Sequence, residues 1–551
     1  MAGEPKVTPF GKLISLLLVL GIVAVGIYMV KGRGGTGSAD GGDTGDDSGP
    51  AEVSELQVEV PRLAPPAAHQ LKDNTVPIEI SEYAGYAGLI AANGGLEPNE
   101  QSVFFRKGGF KVRLTVSEEE SWSPLNSGAL AGSVTTVDVL AVYGRQFNVL
   151  VPAQIGFSRG ADGLVVRSDI SRVNALKGKI VAAAQFTEVD FFIRYLAQEA
   201  GIGVHPLASL DAAPDPNKIN LVYTEDGFSA GDLFLQEITS GKNRLAGCVT
   251  WEPKTSEVVA QSNGQAKVLI TNKNLLIIAD ILVLNRGFAE QNPVIVEGLV
   301  RGLLEGNRMV RDNPEANVDV VARDFGWSRD DAREELAKVH LSNVPENLAF
   351  FSGAIDAAGS FGGIYQSAVF AYGPELIRDP VDPERFVDLT ALKAAERSGE
   401  FAGQTIAIAP IRSGARGTVE TDPLLSKDIR FLFQPNSSVL DMQDPENLKN
   451  LDAIKRLLQV SPGSTILLRG HVDNALVPDF RRQGGEAFVR QMALKAVELS
   501  KNRAAEIRRV MVARLSVDPK RLEVVGRGWD EPAGAESELN RRVEVQWFTV
   551  E

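Results

Sequence analysis

Strand-like runs and helical segments alternate from residue 76 to residue 411, and this alternation restricts the fold more than any other feature. "FKVRLTVS", from Phe110, has the pattern of a strand, whereas "PVIVEGLVRGLLEGNRMVRDNP", from Pro293, has apolar residues at helical spacing and ends at Asn-Pro. "GKIVAAAQFTEVDFFIRYLAQEAGI", from Gly178, combines a buried strand, a polar loop and an amphipathic helix. Such alternation predicts α/β layers built on mostly parallel sheets.

The 551 residues are too many for one hydrophobic core, so we expect two or three domains. The formal net charge of -14 argues against a nucleic-acid-binding protein. Four histidines and one cysteine leave little room for a zinc site, and Cys248 lies in the apolar run "LAGCVTW", which is typical of a core thiol. The sequence has no nucleophile elbow, P-loop or metal-spaced cluster, so we predict a non-enzyme with no cofactor and no bound metal.

An uncharged apolar run of 18 residues, Leu13–Val30, is about the minimum length for a helix that spans a membrane. The alternative is a cleaved signal peptide, whose apolar part is normally shorter and is followed by a small-residue cleavage site. "YMVKGRGG" follows the run instead, so we expect a retained transmembrane helix. Lysine and arginine flank the run almost equally, and they leave its orientation open.

Two stretches have the composition of connections between domains. Residues 31–75 begin with a Gly-, Ser- and Asp-rich part and continue with prolines, which predicts a flexible linker that becomes more extended. The Gly-containing stretch "RSGARGTVETDPLL" predicts a connector over residues 412–426. Residues 427–551 then have the pattern of a small α+β domain with the order β-α-β-α-β-β.

Three stretches of the middle region occur in the order known from one family. They are "GADGLVVRSDISRVNALKGKIVA" from Gly160, "GCVTWEPKTSEVV" from Gly247 and "ADILVLNRGFAEQNPVIVEGLVRGLLEGNRMVRDNPEAN" from Ala279. Together they resemble the periplasmic substrate-binding proteins of ABC importers, of the nitrate, sulfonate and taurine type. The resemblance implies a two-lobe α/β domain over residues 76–411 that binds a small ligand in the cleft between its lobes.

Loops that follow strands supply the first candidate ligand-binding residues. Gln185 and Thr187 stand between a strand and a helix, where free N–H groups favour an anionic ligand, although Thr187 is equally typical of a plain N-cap. Ser81, Tyr83 and Tyr86 follow the first strand, and a tyrosine offers a rigid apolar face with a polar tip. Either tyrosine could instead pack under the next helix.

Three further candidates rest on the resemblance. Trp251 and Glu252, in "TWEP", are expected on the cleft side of the second lobe, the other interpretation being a core tryptophan with an exposed glutamate. Arg159, in "SRGAD", is expected near the crossover between the lobes, where it would pair with an anionic ligand or be solvated.

The C-terminal region carries four motifs in sequence: "GHVDN", "LSKNRAAEIRRVM", "RLEVVGRGWDEPAG" and "NRRVEV". As a set they resemble the OmpA-like peptidoglycan-binding domain. That family binds the meso-diaminopimelate of the cell-wall peptide, so the resemblance assigns the ligand's ammonium to Asp473 and its carboxylate to Arg503. Arg542 is expected to assist or to brace the site. The stretch between Asp473 and Arg503 is longer than the family's pattern, and Ala496 stands where the family commonly has Asn.

Peptidoglycan lies outside the bacterial inner membrane, so the resemblance places residues 1–12 in the cytoplasm and the chain after Lys31 in the periplasm. We expect a membrane-anchored, wall-tethered solute-binding protein, with peptidoglycan, a small anionic ligand and an ABC permease as its partners. The alternative is a structural or sensory tether between membrane and wall, whose binding fold serves protein contacts. An enzyme derived from the same fold would need a catalytic dyad that the sequence lacks.

Overall fold

The computed structural model describes residues 52–117, 121–354, 359–408, 423–434, 437–461 and 463–548. The apolar run Leu13–Val30, which the sequence predicts to be a transmembrane helix, lies outside these ranges. Within them, no helix combines the length and the apolar character that crossing a membrane requires.

Sixteen strands form three sheets in the described ranges. In chain order they are β1 Thr75–Ile80, β2 Lys111–Val116, β3 Gly132–Thr136, β4 Val149–Ser158, β5 Asp162–Arg167, β6 Ile180–Ala184, β7 Val204–Pro206, β8 Ile219–Thr224, β9 Leu245–Trp251, β10 Ala266–Thr271, β11 Ala279–Asn285, β12 Val339–Leu341, β13 Leu425–Ile429, β14 Thr465–Gly470, β15 Leu522–Gly526 and β16 Val543–Phe548.

The α-helices of the described ranges cover these sheets. In chain order they are α1 Ala87–Asn93, α2 Val103–Gly108, α3 Trp122–Asn126, α4 Val137–Tyr143, α5 Glu188–Glu199, α6 Gly227–Thr239, α7 Lys254–Gln261, α8 Arg286–Gln291, α9 Pro293–Asp312, α10 Glu315–Phe325, α11 Arg329–Leu336, α12 Val344–Ser352, α13 Phe361–Leu376, α14 Thr390–Arg397, α15 Pro445–Val460, α16 Val477–Leu515 and α17 Ser537–Asn540. Single 3₁₀ turns lie at Ala84–Tyr86, Val173–Leu176, Pro383–Phe386 and Pro519–Arg521.

The first two sheets build two lobes. Lobe one contains the sheet β12-β4-β11-β3-β1-β2, and lobe two contains the sheet β10-β5-β9-β6-β8-β7. Every residue of β3 and β4 is buried, as expected for strands with both faces covered. The chain passes from lobe one to lobe two between β4 and β5, and it returns between β10 and β11. The two-lobe α/β architecture expected from the sequence is therefore confirmed.

The expectation of mostly parallel sheets is wrong. In lobe one, β11 runs antiparallel to both β3 and β4, and β12 runs antiparallel to β4. In lobe two, β5 runs antiparallel to both β9 and β10. β5 and β11 follow the two crossovers, so the chain enters each sheet at these strands from the other lobe. No helix of the same lobe connects them to the preceding strand of their sheet, and the parallel arrangement of a βαβ unit is therefore not imposed on them.

The third sheet belongs to the C-terminal region and has the order β13-β16-β14-β15. Its elements follow the β-α-β-α-β-β order predicted from the sequence, with the short helix α17 added before the last strand. Non-helical backbone at Gly484 and Gly485 divides the long helix α16, and the φ of 64° at Gly485 lies in the left-handed region that favours glycine. The stretch that exceeds the family's pattern thus forms an additional helical segment before the glycine break.

The N-terminal segment, residues 52–74, lies against both lobes. Gln57 exchanges two hydrogen bonds with Gln185 of lobe two: its N–H donates to the Gln185 Oε1 at 3.0 Å, and its carbonyl accepts from the Gln185 Nε2 at 2.7 Å. The Ala67 N–H donates to the carbonyl of Asn126 in lobe one at 3.0 Å. The flexible linker predicted for residues 31–75 is therefore wrong for this part, because its backbone groups find partners on the lobes. The rest of the predicted linker lies outside the described residues.

The C-terminal domain packs on lobe two. The Asn174 side chain accepts from the Ser426 N–H at 2.9 Å and donates to the Ser426 carbonyl at 2.9 Å, so it pairs with β13 like a neighbouring strand. The Leu276 N–H donates to the carbonyl of Val460, at the end of α15, at 2.8 Å. Residues 409–422, most of the predicted connector, lie outside the described ranges, and β13 already begins at Leu425.

Candidate functional site

A cavity of about 430 Å³ lies between the two lobes. Its volume falls in the range typical of sites for small ligands. Both lobes contribute to its wall, which consists of Glu79, Ile80, Ser81, Tyr83, Tyr86, Ser117, Ser121, Trp122, Ser133, Val134, Thr135, Thr136, Ser158, Asp162, Gln185, Thr187, Glu188, Glu225, Asp226, Trp251, Ile278 and Asp280.

The lobe-one wall lies where β1 ends at Ile80. Ser81, Tyr83 and Tyr86, the residues that the sequence predicts at this position, all line the cavity. The two tyrosine rings meet edge to face with their centroids 5.3 Å apart. The Tyr86 hydroxyl donates to the Asp280 Oδ1 at 3.1 Å, so one ring is fixed by a carboxylate at the start of β11.

The lobe-two wall lies where β6 ends and α5 begins. Gln185 and Thr187 line the cavity here, and the Thr187 hydroxyl donates to the Ala184 carbonyl at 2.9 Å. Phe186, between them, has a φ of 66°, which is uncommon for a residue with a side chain. Its N–H donates to the Asp190 Oδ2 at 3.2 Å, so the first turn of α5 fixes the shape of this loop.

Two predicted ligand-binding residues do not line the cavity. Glu252 is buried and accepts from the Ser256 N–H at 3.0 Å and from the Lys338 Nζ at 2.9 Å, so it ties lobe two to lobe one. The Arg159 Nε donates to the Lys273 carbonyl at 2.7 Å, between the two crossover segments. The expectation that Glu252 and Arg159 bind a ligand in the cleft is corrected here, because protein partners already occupy both side chains.

Trp251 does line the cavity, and its ring packs against Phe228 with the centroids 5.1 Å apart. Trp122, from lobe one, lines the opposite side. Sequence reasoning missed Trp122, which follows a polar run and carried no strand or motif signal. The cavity thus has aromatic rings on both lobes.

The charge of the cavity is opposite to what the sequence led us to expect. Among the described residues, its lining includes six carboxylates and neither lysine nor arginine: Glu79, Asp162, Glu188, Glu225, Asp226 and Asp280. No basic side chain of the described lining would compensate this charge for an anionic ligand, so the expected anionic character of the ligand is corrected. The sequence argument relied on helix N-termini, whose partial charge is smaller than that of the carboxylates.

Two of these carboxylates, Asp162 and Asp280, are buried, at 4% and 3% exposure. The Asp162 Oδ2 accepts from the Ser158 hydroxyl and from the Asn272 Nδ2. Burial raises the pKa of Asp162 to about 6, although these two hydrogen bonds lower it. Burial and then the charge of Asp162 raise the pKa of Asp280 well above its ordinary value. Sequence reasoning missed both residues. The feature that could have indicated them is an Asp at the start of a strongly apolar strand, in "ADGLVV" and "ADILVL".

A second candidate site lies on the C-terminal domain, after β14. The Asp473 Oδ2 accepts from the Arg541 Nε at 2.6 Å, and its Oδ1 accepts from the Ala475 N–H at 3.1 Å. The Arg503 guanidinium stands over the Phe433 ring, 5.1 Å from its centroid. Burial, and then the nearby Arg541, lower the pKa of Arg503 from its ordinary value. The structure therefore brings one carboxylate and two guanidinium groups into one neighbourhood.

Arg542, the third residue predicted for this site, lies elsewhere. Its Nε donates to the Asp428 Oδ1 at 2.9 Å and its Nη2 donates to the Glu531 carbonyl at 3.3 Å. The side chain is only 10% exposed, so Arg542 braces the fold and Arg541 takes the position expected for it. The two arginines are adjacent in "NRRVEV", directly before β16, and the sequence pattern does not tell which of them points to the site.

The lobes are similar to several solved structures. The periplasmic aliphatic sulphonate binding protein SsuA from Escherichia coli shares 16% identity, with 58% of this chain and 100% of that chain covered and a TM-score of 0.43. The periplasmic nitrate-binding protein NrtA from Synechocystis PCC 6803 shares 12% identity, with 61% of this chain and 90% of that chain covered and a TM-score of 0.42. The alkanesulfonate-binding protein SsuA from Xanthomonas axonopodis pv. citri, bound to MOPS, shares 14% identity, with 58% and 99% covered and a TM-score of 0.43.

No curated protein matches this chain. One family model does, and it is described as the OmpA family. The match covers residues 432–546, which include Asp473, Arg503, the strands β14 and β15 and the first four residues of β16. The C-terminal part of the chain, residues 432–546, is therefore an OmpA family domain.

Proposed function

We propose that this chain is a solute-binding protein of the ABC-import type and that its OmpA family domain holds it on peptidoglycan. The observation that carries the proposal is the cavity of about 430 Å³ between the lobes, to which both lobes contribute polar and aromatic side chains. A ligand that contacts both walls stabilises one relative position of the lobes, which is the basis of ligand-dependent closure.

The alternative is a tether whose binding fold serves protein contacts only. Such a protein has no need of an internal space, and its cleft would be expected to fill with side chains, because protein interiors are close-packed. The open cavity therefore favours solute binding over the tether.

Attachment to the wall rests on the constellation around Asp473. In our proposal the diaminopimelate ammonium binds the Asp473 carboxylate, and the diaminopimelate carboxylate binds Arg503, whose planar guanidinium suits a carboxylate bidentately. The Arg541 Nε donates to the Asp473 Oδ2 at 2.6 Å and holds this carboxylate in place. It then shares Asp473 with the ligand ammonium.

Location follows from the same proposal. Peptidoglycan lies outside the inner membrane, so the apolar run Leu13–Val30 would cross that membrane with residues 1–12 inside and the lobes in the periplasm. A permease of an ABC importer is then the expected receiver of the solute.

Blocking the cavity should abolish solute binding. Ser121 lines the cavity and is partly exposed, so we expect Ser121→Trp to fill the cavity mouth without disturbing the core. The control is Ser240→Trp, on the exposed end of α6 in lobe two. Thermal shift measurements on the full chain, with a panel of small cations, anions and neutral solutes, test this. A bound solute at about 100 times its Kd stabilises a protein by about 2.7 kcal/mol.

We expect at least one solute to raise the melting temperature of the wild type and of Ser240→Trp, but not of Ser121→Trp. If a solute raised the melting temperatures of Ser121→Trp and Ser240→Trp equally, it would bind outside the cleft. A panel without any shift would contradict solute binding and favour the tether.

A further inference from the structure

The strongest unexplained feature of the cleft is a buried carboxylate oxygen without a hydrogen-bond partner. Asp280 lines the cavity and is only 3% exposed. Its Oδ1 accepts from the Tyr86 hydroxyl, but its Oδ2 has no partner among the described residues. Leaving such an oxygen buried and unmatched is costly, so a donor that arrives from the cavity is expected to bind there.

The surroundings of Asp280 define the charge of that donor. The strongest electrostatic influences on Asp280 and on the two tyrosines beside it come from acidic groups and from the tyrosines themselves: Asp138, Asp162, Glu188, Tyr83 and Tyr86. Asp138 and Asp162 are buried like Asp280, and burial raises the pKa of Asp138 to about 7. A positive charge in the cavity would therefore be attracted by several carboxylates at once.

Aromatic rings frame the same space. Tyr83, Tyr86 and Trp122 from lobe one and Trp251 from lobe two all line the cavity. The faces of such rings attract an organic cation through their negative quadrupole, and they accommodate its apolar part. This wall suits an alkylammonium group better than a hydrated inorganic ion.

A bare metal ion fits the cavity less well. Among the described residues, no three of the cleft carboxylates bring their oxygens close enough together to surround a metal ion. The cavity of about 430 Å³ is also much larger than a metal site. A small organic molecule with an ammonium group matches both the volume and the spacing.

We propose that the cleft binds a small organic cation, whose ammonium group is held by Asp280 with support from Asp162 and whose apolar part lies among the four aromatic rings. This inference rests on the proposed solute-binding function and names the chemical class of the solute.

The raised pKa values of these carboxylates also imply that the affinity of the cleft for the cation depends on pH. Burial raises the pKa of Asp280 well above its ordinary value, that of Asp162 to about 6 and that of Asp138 to about 7. Protons therefore occupy this group of carboxylates at low pH and compete with the cation. Binding of a cation favours the charged carboxylates and releases protons. Affinity for the cation is therefore expected to rise as the pH rises from about 5 to about 8.

The test uses two probes of matched size on the full chain, n-butylammonium and butanesulfonate, followed by thermal shift and by calorimetric titration. We expect butylammonium to bind, with higher affinity at pH 8 than at pH 5, and butanesulfonate not to bind. Asp280→Asn preserves the shape of the side chain and should weaken butylammonium binding by about thirtyfold or more, because the ligand charge loses its buried partner.

Two further variants separate binding from folding. Tyr86→Phe keeps the ring but removes the hydrogen bond that lowers the pKa of Asp280, so we expect it to fold like the wild type and to weaken butylammonium binding, most strongly at low pH. Asp211→Asn, on the exposed surface of lobe two, is the charge-matched control and should bind like the wild type.

The outcomes are distinguishable. Binding of butanesulfonate or of a neutral solute, blocked by Ser121→Trp, with no binding of butylammonium, would overturn the cation proposal and leave solute binding standing. Butylammonium binding that is unchanged in a folded Asp280→Asn would overturn the role of Asp280. If no solute of any charge binds, both the cation proposal and the proposed function fall.

Discussion

Asp473→Ala and Arg503→Ala are each expected to weaken binding of the full chain to diaminopimelate-type peptidoglycan by about thirtyfold or more. Removing one member of a partly desolvated charge pair leaves the opposite charge of the ligand unmatched, which costs about 2–5 kcal/mol. The Asp473 side chain is 19% exposed, and the Arg503 Nε is buried without a hydrogen-bond partner among the described residues, so both groups lie where water competes weakly. Arg503→Lys should also weaken binding, because the planar fork of the guanidinium is lost.

Co-sedimentation with purified sacculi measures this effect, and circular dichroism checks the fold of each variant. The matched control is Arg509→Ala, on the same helix as Arg503, whose side chain is 64% exposed and paired with Glu506. We expect this control to pellet like the wild type. If both Asp473→Ala and Arg503→Ala also pelleted like the wild type, the constellation would not bind peptidoglycan, and the domain would serve another contact.

Arg194→Ala is expected to lower the free energy of unfolding of the lobes by about 3–5 kcal/mol, the usual cost of removing one partner from a buried ion pair. The Arg194 Nε donates to the Asp190 Oδ1 at 2.7 Å, with both side chains almost fully buried. The Tyr223 hydroxyl donates to the same oxygen, and the Arg194 Nη2 donates to the Tyr223 hydroxyl. The substitution therefore removes the buried guanidinium that both the Asp190 carboxylate and the Tyr223 hydroxyl contact.

Arg145→Ala is the control for the decrease in the free energy of unfolding expected for Arg194→Ala. Arg145 forms an ion pair with Asp379 at 2.6 Å, but both side chains are more than 60% exposed, so we expect a cost below about 1 kcal/mol. Calorimetric melting of the full chain compares the two variants. A similar small effect in both would mean that the buried pair contributes little. Because Asp190 also fixes the loop at Phe186, we expect the damaged variant to lose affinity for cleft solutes as well.

Several residues that line the cleft were predictable, because they follow strands that the local sequence pattern predicts. Ser81, Tyr83 and Tyr86 follow β1 of lobe one, and Gln185 and Thr187 follow β6 of lobe two. Ligands of α/β sheets bind outside the carboxyl ends of the strands, so each group is expected at the cleft edge of its own sheet. Periodicity within about ten residues is enough to place them. The order of elements in the C-terminal domain was predictable for the same reason.

The charge of the cleft was not predictable, because it depends on pairing between distant segments. Asp280 is the second residue of β11, and it reaches the cavity because β11 lies between β3 and β4, whose residues are more than 120 positions away in the sequence. In the sequence it is only an Asp before an apolar run. The same limit applies to the choice between Arg541 and Arg542, since both precede a strand and only the packing against Asp428 decides which one is buried.

The N-terminal segment shows a further limit. Its proline-rich composition predicts an extended chain, and residues 52–74 form no helix, but composition does not reveal that Gln57 pairs with Gln185 at the cavity wall. Partners for an extended backbone are set by the surface on which it lies. Sequence patterns within the segment carry no information about that surface.

We propose that one chain holds a small cation and peptidoglycan at the same time. Co-sedimentation of radiolabelled butylammonium with sacculi and the full chain measures both at once. We predict that the label pellets with the wild type, that protein pellets without label for Asp280→Asn, and that both protein and label stay in solution for Asp473→Ala. Pelleting of the wild-type protein while all of the label remains in solution, at concentrations that saturate the free chain, would contradict the claim.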